Sequence, residues 1–125
     1  MKRKVRPRRQ RKTTRAQLAR KADKLWGMVV RARGACEDCG GTNVLQAAHG
    51  FSRRYRGTRW SPINGFCLCR GCHLKYTMRP LEWDDYLRNA WGGWVYDELR
   101  RLAQTTAKPD LERIIASLEA ELARA

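Results

Sequence analysis

Apolar positions recur at helical spacing near both ends of the chain and collapse into short runs in the middle. Thr13 or Thr14 can cap a helix, and after them Leu18, Ala22, Leu25, Trp26, Val29 and Val30 recur on one face. Gly34 suits the stop of that helix. Between Cys36 and His73 the pattern changes to turn residues and brief apolar runs. Val44–Ala48 and Phe66–Leu68 read as strands, joined by a long loop over 50–64. A helix should open at Arg70, and further helices are expected at Leu81–Ala90, Trp94–Gln104 and Pro109–Arg124. The last is the most regular. Pro109 suits a first helical position, Asp110 and Glu112 favour its dipole, and Leu111, Ile114, Ile115, Leu118 and Leu122 form one stripe. No internal repeat is visible.

Charge divides this layout into unequal parts. The 125 residues hold 27 Lys+Arg against 12 Asp+Glu, for a net charge of +15. Residues 1–35 carry 14 basic residues and 1 acidic residue; 36–81 carry 7 and 2; 82–125 carry 6 and 9. The first two parts suit a polyanion, and the third does not. Residues 1–12, MKRKVRPRRQRK, hold eight basic residues around one Pro. Such a block repels itself and buries nothing, so it reads as a disordered arm, whether phosphate-binding or merely solubilising. A hydrophobic content of 42% still supplies a modest core for one domain. No apolar run approaches the roughly 18–20 residues of a membrane-spanning helix. The basic start is followed by polar residues where a secretory signal would be apolar. A soluble, cytoplasmic, membrane-free protein is expected.

Cysteine spacing brings in a metal. Cys36-x2-Cys39 and Cys69-x2-Cys72 form two knuckles, each placing two thiolates on one tight turn within reach of a tetrahedral Zn²⁺. The 29 residues between them exceed the roughly 15–20 of a simple ribbon, so a further structure is inserted. An odd total of five cysteines in a cytoplasmic chain argues against disulfides. Cys67 is left over, as a buried free thiol or as a competing ligand.

The inserted segment holds the other chemistry. The only two histidines are His49, ending the run Leu45-Gln-Ala-Ala-His49, and His73, directly after Cys72. Asn64 stands 15 residues after the first and nine before the second. The order His…Asn…Cys-x2-Cys-His resembles the HNH endonucleases. NGFCLCRGCH at 64–73 looks like the second half of their motif, and Ala47-Ala48-His49 like the first. More narrowly, LWGMVVRARGACEDCG at 25–40, AAHGFSRR at 47–54 and TRWSPINGFCLCRGC at 58–72 are similar to phage NinG/Rap-like recombination nucleases.

The resemblance implies an α+β fold. A small ββα-metal core with a structural four-cysteine zinc site would be flanked by N- and C-terminal helices. The nuclease domain would span 13–104, followed by an amphipathic helix within 105–125. It also implies roles: His49 as general base, His73 as ligand to a catalytic divalent ion (Mg²⁺ or Mn²⁺), and Asn64 as the amide holding the loop around the base. Zinc would sit on Cys36, Cys39, Cys69 and Cys72. Ala48 departs from the pattern, because many such enzymes carry a second metal ligand there. On the residues alone, His49 is also a candidate core or turn histidine, His73 a replacement zinc ligand, and Asn64 an ordinary turn residue between Pro62 and Gly65.

A DNA partner, branched by the NinG/Rap resemblance, is expected. Arg53, Arg54, Arg56 and Arg59 alternate with Tyr55 and Trp60 in the loop, a composition suited to phosphates; Trp60 is equally suited to the core. Lys75 and Arg79 extend the track, and Arg6, Arg8 and Arg9 of the arm add sequence-independent affinity. The C-terminal stripe either packs on the domain or pairs two chains as a homodimer. Two alternatives stand beside this reading: a zinc-containing DNA-binding module that does not cut, and a sequence-specific nuclease of the homing or restriction type. Adjacent Asp84 and Asp85 would point apart on a helix, so they read as a solvated face.

Overall fold

The computed structural model describes residues 3–5 and 12–125; Arg6, Arg8 and Arg9 lie outside the described residues. The order is α1 (Arg15–Arg31), β1 (Leu45–His49), a short 3-10 turn (Pro62–Asn64), β2 (Gly65–Cys69), α2 (Arg70–Met78), α3 (Pro80–Ala103) and α4 (Leu111–Arg124). Among the described residues it is a mixed α+β fold of four helices around one two-stranded antiparallel sheet. No helix among the described residues is long and apolar enough to cross a membrane.

Local chemistry sets the element ends. Thr14 caps α1: its hydroxyl accepts from the Gln17 N–H at 3.2 Å, and the Gln17 side chain accepts from the Thr14 N–H at 2.8 Å. These reciprocal bonds satisfy two donors that a helix start would otherwise leave open. Asp110, not Pro109, governs the start of α4, because its carboxylate accepts from the Arg113 N–H at 3.2 Å. Pro109 is thereby displaced from the expected first helical position. The two helices expected at 81–90 and 94–104 form one element with a break at Gly92, whose φ of 75° and ψ of 165° are non-helical. Across the break, Asp84 accepts from the Tyr96 hydroxyl and from Arg88 Nε, so it is a tie between the two halves.

The sheet separates two apolar clusters. Leu45 pairs with Cys69, Ala47 with Cys67 and His49 with Gly65. Alternation along the strands sends neighbouring residues to opposite faces. Ala47 and Cys67 meet Ala22, Trp26 and Val30 of α1, which also receive Leu111, Ile115 and Leu118 of α4. Ala48, Phe66 and Leu68 meet Leu87 and Tyr96 of α3, with the rings of Trp83, Tyr86 and Trp91 packed around them. Full burial of each such aliphatic side chain contributes about 1.5–3 kcal/mol. The α4 stripe is thus spent on α1 of its own chain. A homodimer through that stripe would require α4 to leave α1. Trp60 is also core, 5% exposed.

Candidate functional site

Both knuckles converge at the Leu45–Cys69 end of the sheet. The Cys36–Cys39 turn precedes β1, and Cys69 ends β2 while capping α2, which carries Cys72 one turn later. The four Sγ atoms lie within 4.8 Å of one another, and Cys39 Sγ is 3.7 Å from Cys69 Sγ. Four sulfurs each about 2.3 Å from a tetrahedral zinc are about 3.8 Å apart, so the donors fit such an ion. Backbone N–H groups already point at these sulfurs: Gly41 donates to Cys39 at 3.4 Å and Cys72 to Cys69 at 3.5 Å. Burial pushes the Cys36 thiol up. Hydrogen bonds with the backbone of Cys39, Cys69 and Asp38 outweigh it and bring the group down to about 6. The Cys72 thiol is pushed up, by burial and then by its bonds with Cys69, Asp38, Cys39 and Cys36. Clustered thiols resist ionising together unless a cation shares them.

Cys67 is not in this cluster. It sits two residues before Cys69 on the same face of β2, further along the sheet and fully buried against α1, and burial raises its thiol. Two side chains expected on the DNA track are held elsewhere. Lys75 Nζ lies 2.7 Å from Asp38 and over the Tyr76 ring, so it braces the first knuckle. Arg59 donates twice to Asp23, at 2.6 and 3.0 Å, and Trp60 Nε1 donates to the same carboxylate at 2.8 Å.

His49 and His73 line one cleft of about 480 Å³, with Ala48, Gly50, Ser52 and Thr77 among its walls. His49 ends β1 and stacks on Trp26, with ring centroids 3.9 Å apart and planes at 12°. Its Nε2 is 3.0 Å from the Arg59 carbonyl oxygen. A carbonyl can only accept, so Nε2 carries the hydrogen and Nδ1 keeps its lone pair. Burial foremost lowers the His49 pKa below its ordinary value. The carbonyl bond opposes that shift; the Arg53 and Arg59 charges add to it, and the Asp23 charge opposes it. His73, on α2, has Nδ1 2.7 Å from the Gln46 side-chain oxygen. There Nδ1 donates, which leaves the Nε2 lone pair available to a cation. Among the described residues no carboxylate lines the cleft, and Ala48 offers no ligand.

Asn64 is fully buried behind His49. Its amide oxygen accepts from the Phe51 N–H at 2.8 Å, its amide nitrogen donates to the Phe51 carbonyl at 3.1 Å, and its own carbonyl accepts from the Gly50 N–H at 2.7 Å. The chain leaving His49 is clamped at three points. Gly50 permits this, since an added Cβ would lie 2.6 Å from Trp91 and 2.9 Å from the Asn64 oxygen.

Three residues shape the site without belonging to the His–Asn–His pattern: Asp23, Trp26 and Gln46. Asp23 does leave a trace, as the single acidic residue among the first 35. Trp26 reads as core from its spacing, and it is core, but its ring also carries His49. Gln46 sits within a strand with nothing in the spacing to mark it.

Of the loop arginines, Arg54 and Arg56 have no carboxylate partner among the described residues, and Arg53 pairs with Asp23 at 3.6 Å while 66% exposed. Exposed pairs of that kind contribute about 0–1 kcal/mol, so Arg53 can exchange its partner for a phosphate. No protein-family model, no curated protein and no solved structure matches this chain.

Proposed function

We propose that this protein is a divalent-metal-dependent DNA endonuclease of the HNH type, favouring branched or distorted DNA. The observation that carries the reading is the pairing of histidines in one cleft. Each has one ring nitrogen held by an oxygen acceptor and the other left with its lone pair. In this reading His49 Nδ1 takes a proton from water, and the water oxygen attacks the phosphorus. The P–O bond to the 3′ oxygen breaks, leaving a 5′-phosphate and a 3′-hydroxyl that is protonated from solvent. Burial keeps His49 neutral and therefore ready as a base near pH 7. The Arg59 carbonyl and the Trp26 ring fix its orientation, and Asn64 holds the chain behind it. His73 Nε2 would hold the divalent ion, which when bound would supply Lewis-acid stabilisation of the phosphate and leaving oxygen. The cysteine site would take zinc and serve the fold.

The preference for branched DNA rests on what the basic surfaces can read. A basic arm, a helix with an apolar face and an arginine-rich loop suit phosphates and shape more than a base code. The test is cleavage of a four-way junction, a flap and matched linear duplexes, with Mg²⁺ and Mn²⁺ compared. Preferential cutting of the junction or flap is expected. Equal cutting of every substrate would reduce the reading to a nonspecific nuclease, and one fixed site in linear DNA would point to a homing- or restriction-type enzyme. Ala48 and the lack of a carboxylate among the described residues of the cleft favour one rival, a DNA-binding module that does not cut. Tight DNA binding with no product under any divalent ion would establish it.

A further inference from the structure

A second groove, of about 580 Å³, lies between the arginine loop and the connection from α3 to α4. One wall carries Arg54, Tyr55 and Arg56, and the other carries Thr105, Thr106 and Lys108. Among the described residues no carboxylate lines it, and none pairs with these three cations. Arg54 lies along Tyr55, with its guanidinium carbon 4.9 Å from the ring centroid and its Nη2 2.8 Å from the phenol oxygen. The groove is built into the fold. At Gly57 the loop touches the end of α3 so closely that an added Cβ would lie 2.0 Å from the Leu102 carbonyl oxygen.

We infer that this groove is a second nucleic-acid site, separate from the histidine cleft, which takes the phosphodiester backbone of DNA. Cations and hydroxyls supply the donors that phosphate oxygens accept. A small anion is a poor occupant, because the groove is open to solvent and exposed cations bind single anions weakly. A polymer gains where a small ion does not, since each phosphate neutralised releases condensed counterions. The groove also adjoins the chemistry. Tyr55 and Arg56 belong to the turn whose Tyr55 carbonyl accepts from the Thr58 and Arg59 N–H groups, and the Arg59 carbonyl holds His49. A backbone seated in the groove therefore rests on the support of the proposed base. The groove takes its partner from the DNA-cleavage reading but is tested through binding alone.

The experiment measures binding of the full zinc-loaded chain to a four-way junction and to a linear duplex, without added Mg²⁺ or Mn²⁺, across a salt series. Arg56→Gln with Lys108→Gln is compared with Arg113→Gln and Arg124→Gln on α4, which make the same charge change. Two lost phosphate contacts should flatten the slope of log affinity against log salt by about 1.8, at roughly 0.9 per contact, while the α4 control keeps the native slope. An unchanged slope in the groove variant, or equal flattening in the control, overturns the inference. Weakened binding of polyglutamate with DNA affinity unchanged would assign the groove to acidic proteins and overturn it as well. Flattened slopes in a protein that never cuts DNA would support the groove and remove the nuclease reading, so the two fail separately.

Discussion

The cysteine cluster and the histidine cleft are built on the same short hairpin, yet they offer a cation opposite things. At the Leu45–Cys69 end, four sulfurs surround one point and would fill a tetrahedral shell. In the cleft only two imidazole nitrogens, one from each histidine, keep lone pairs, with no carboxylate among the described residues of its walls. A filled shell leaves no place for water or substrate and can only hold the chain together. In the proposed reading a nearly empty shell would be completed from outside by water and substrate, as a hydrolytic site needs. In that reading α2 joins the two, since it is capped by Cys69 and carries Cys72 and His73 side by side. Ala48 belongs to the same logic: it reads as a missing ligand, and it keeps the second site open.

The largest effect should come from the filled site. Structural zinc contributes about 10–16 kcal/mol in small domains, comparable to the roughly 5–15 kcal/mol that holds a whole domain folded. Cys69→Ser should therefore lose both zinc and the folded state, read by metal analysis and circular dichroism. Cys67→Ser should keep one zinc per chain. If Cys67 proves necessary for zinc, the ligand set is wrong and the comparison loses its first half.

Removing His49 should do the reverse, sparing the fold and stopping the chemistry. A positioned general base contributes about 10²–10⁴ in rate, so His49→Ala or the bulkier His49→Gln should lower cleavage by that factor. Zinc content and DNA affinity should stay near native. Loss of zinc or of folding in both variants would make His49 a structural residue and remove the contrast.

Much of this layout is legible in the sequence, and the rest is hidden for one physical reason. Periodic features announce themselves: the α1 face, the α4 stripe, both strands and the cysteine knuckles all recur at spacings fixed by backbone geometry. The strand ends differ from their expected places by one residue, because Gly65 and His49 complete the ladder that apolar content alone does not mark. Single contacts between distant residues carry no period. Asp23 holding Arg59, Gln46 holding His73 and Lys75 reaching Asp38 each depend on how helices and sheet pack, not on local pattern. The arginine loop illustrates the cost of reading charge without packing. Four arginines look equivalent in sequence, yet Arg59 is a strut and Arg54 and Arg56 face a groove.

Gln46 offers a finer cut at the open site. Side chains that hydrogen-bond the far nitrogen of a metal-binding histidine typically contribute about 10–100-fold in affinity. Gln46→Ala should raise the Mg²⁺ or Mn²⁺ concentration needed for half-maximal cleavage by about that factor, with the rate recovered at saturating ion. Zinc content should not change. An unshifted ion dependence would mean that Gln46 does not orient His73 toward a cation.

The smallest effect concerns protons, and it tests whether the two sites can be told apart in acid. The folded His49 pKa lies below its ordinary value, mainly through burial, while the unfolded chain should titrate near 6.5. Between those values the unfolded state binds more protons. The stability from a neutral His49 is thus fully present above about pH 6.5 and is lost as pH falls through the folded pKa, at no more than about 1.4 kcal/mol per pH unit. The cleavage rate should follow the same group, with the midpoint of its acid limb below about pH 6.5. Thiolates also take up protons in acid and can release zinc, so an acid limb alone does not identify its source. Zinc retention must be followed in the same samples from about pH 5 to 8, the range over which a histidine titrates. An acid limb with zinc still bound assigns the loss to His49, and His49→Gln should abolish the limb in the residual rate. A limb that tracks zinc release would move the pH dependence to the cysteine site and leave His49 without a titrating role.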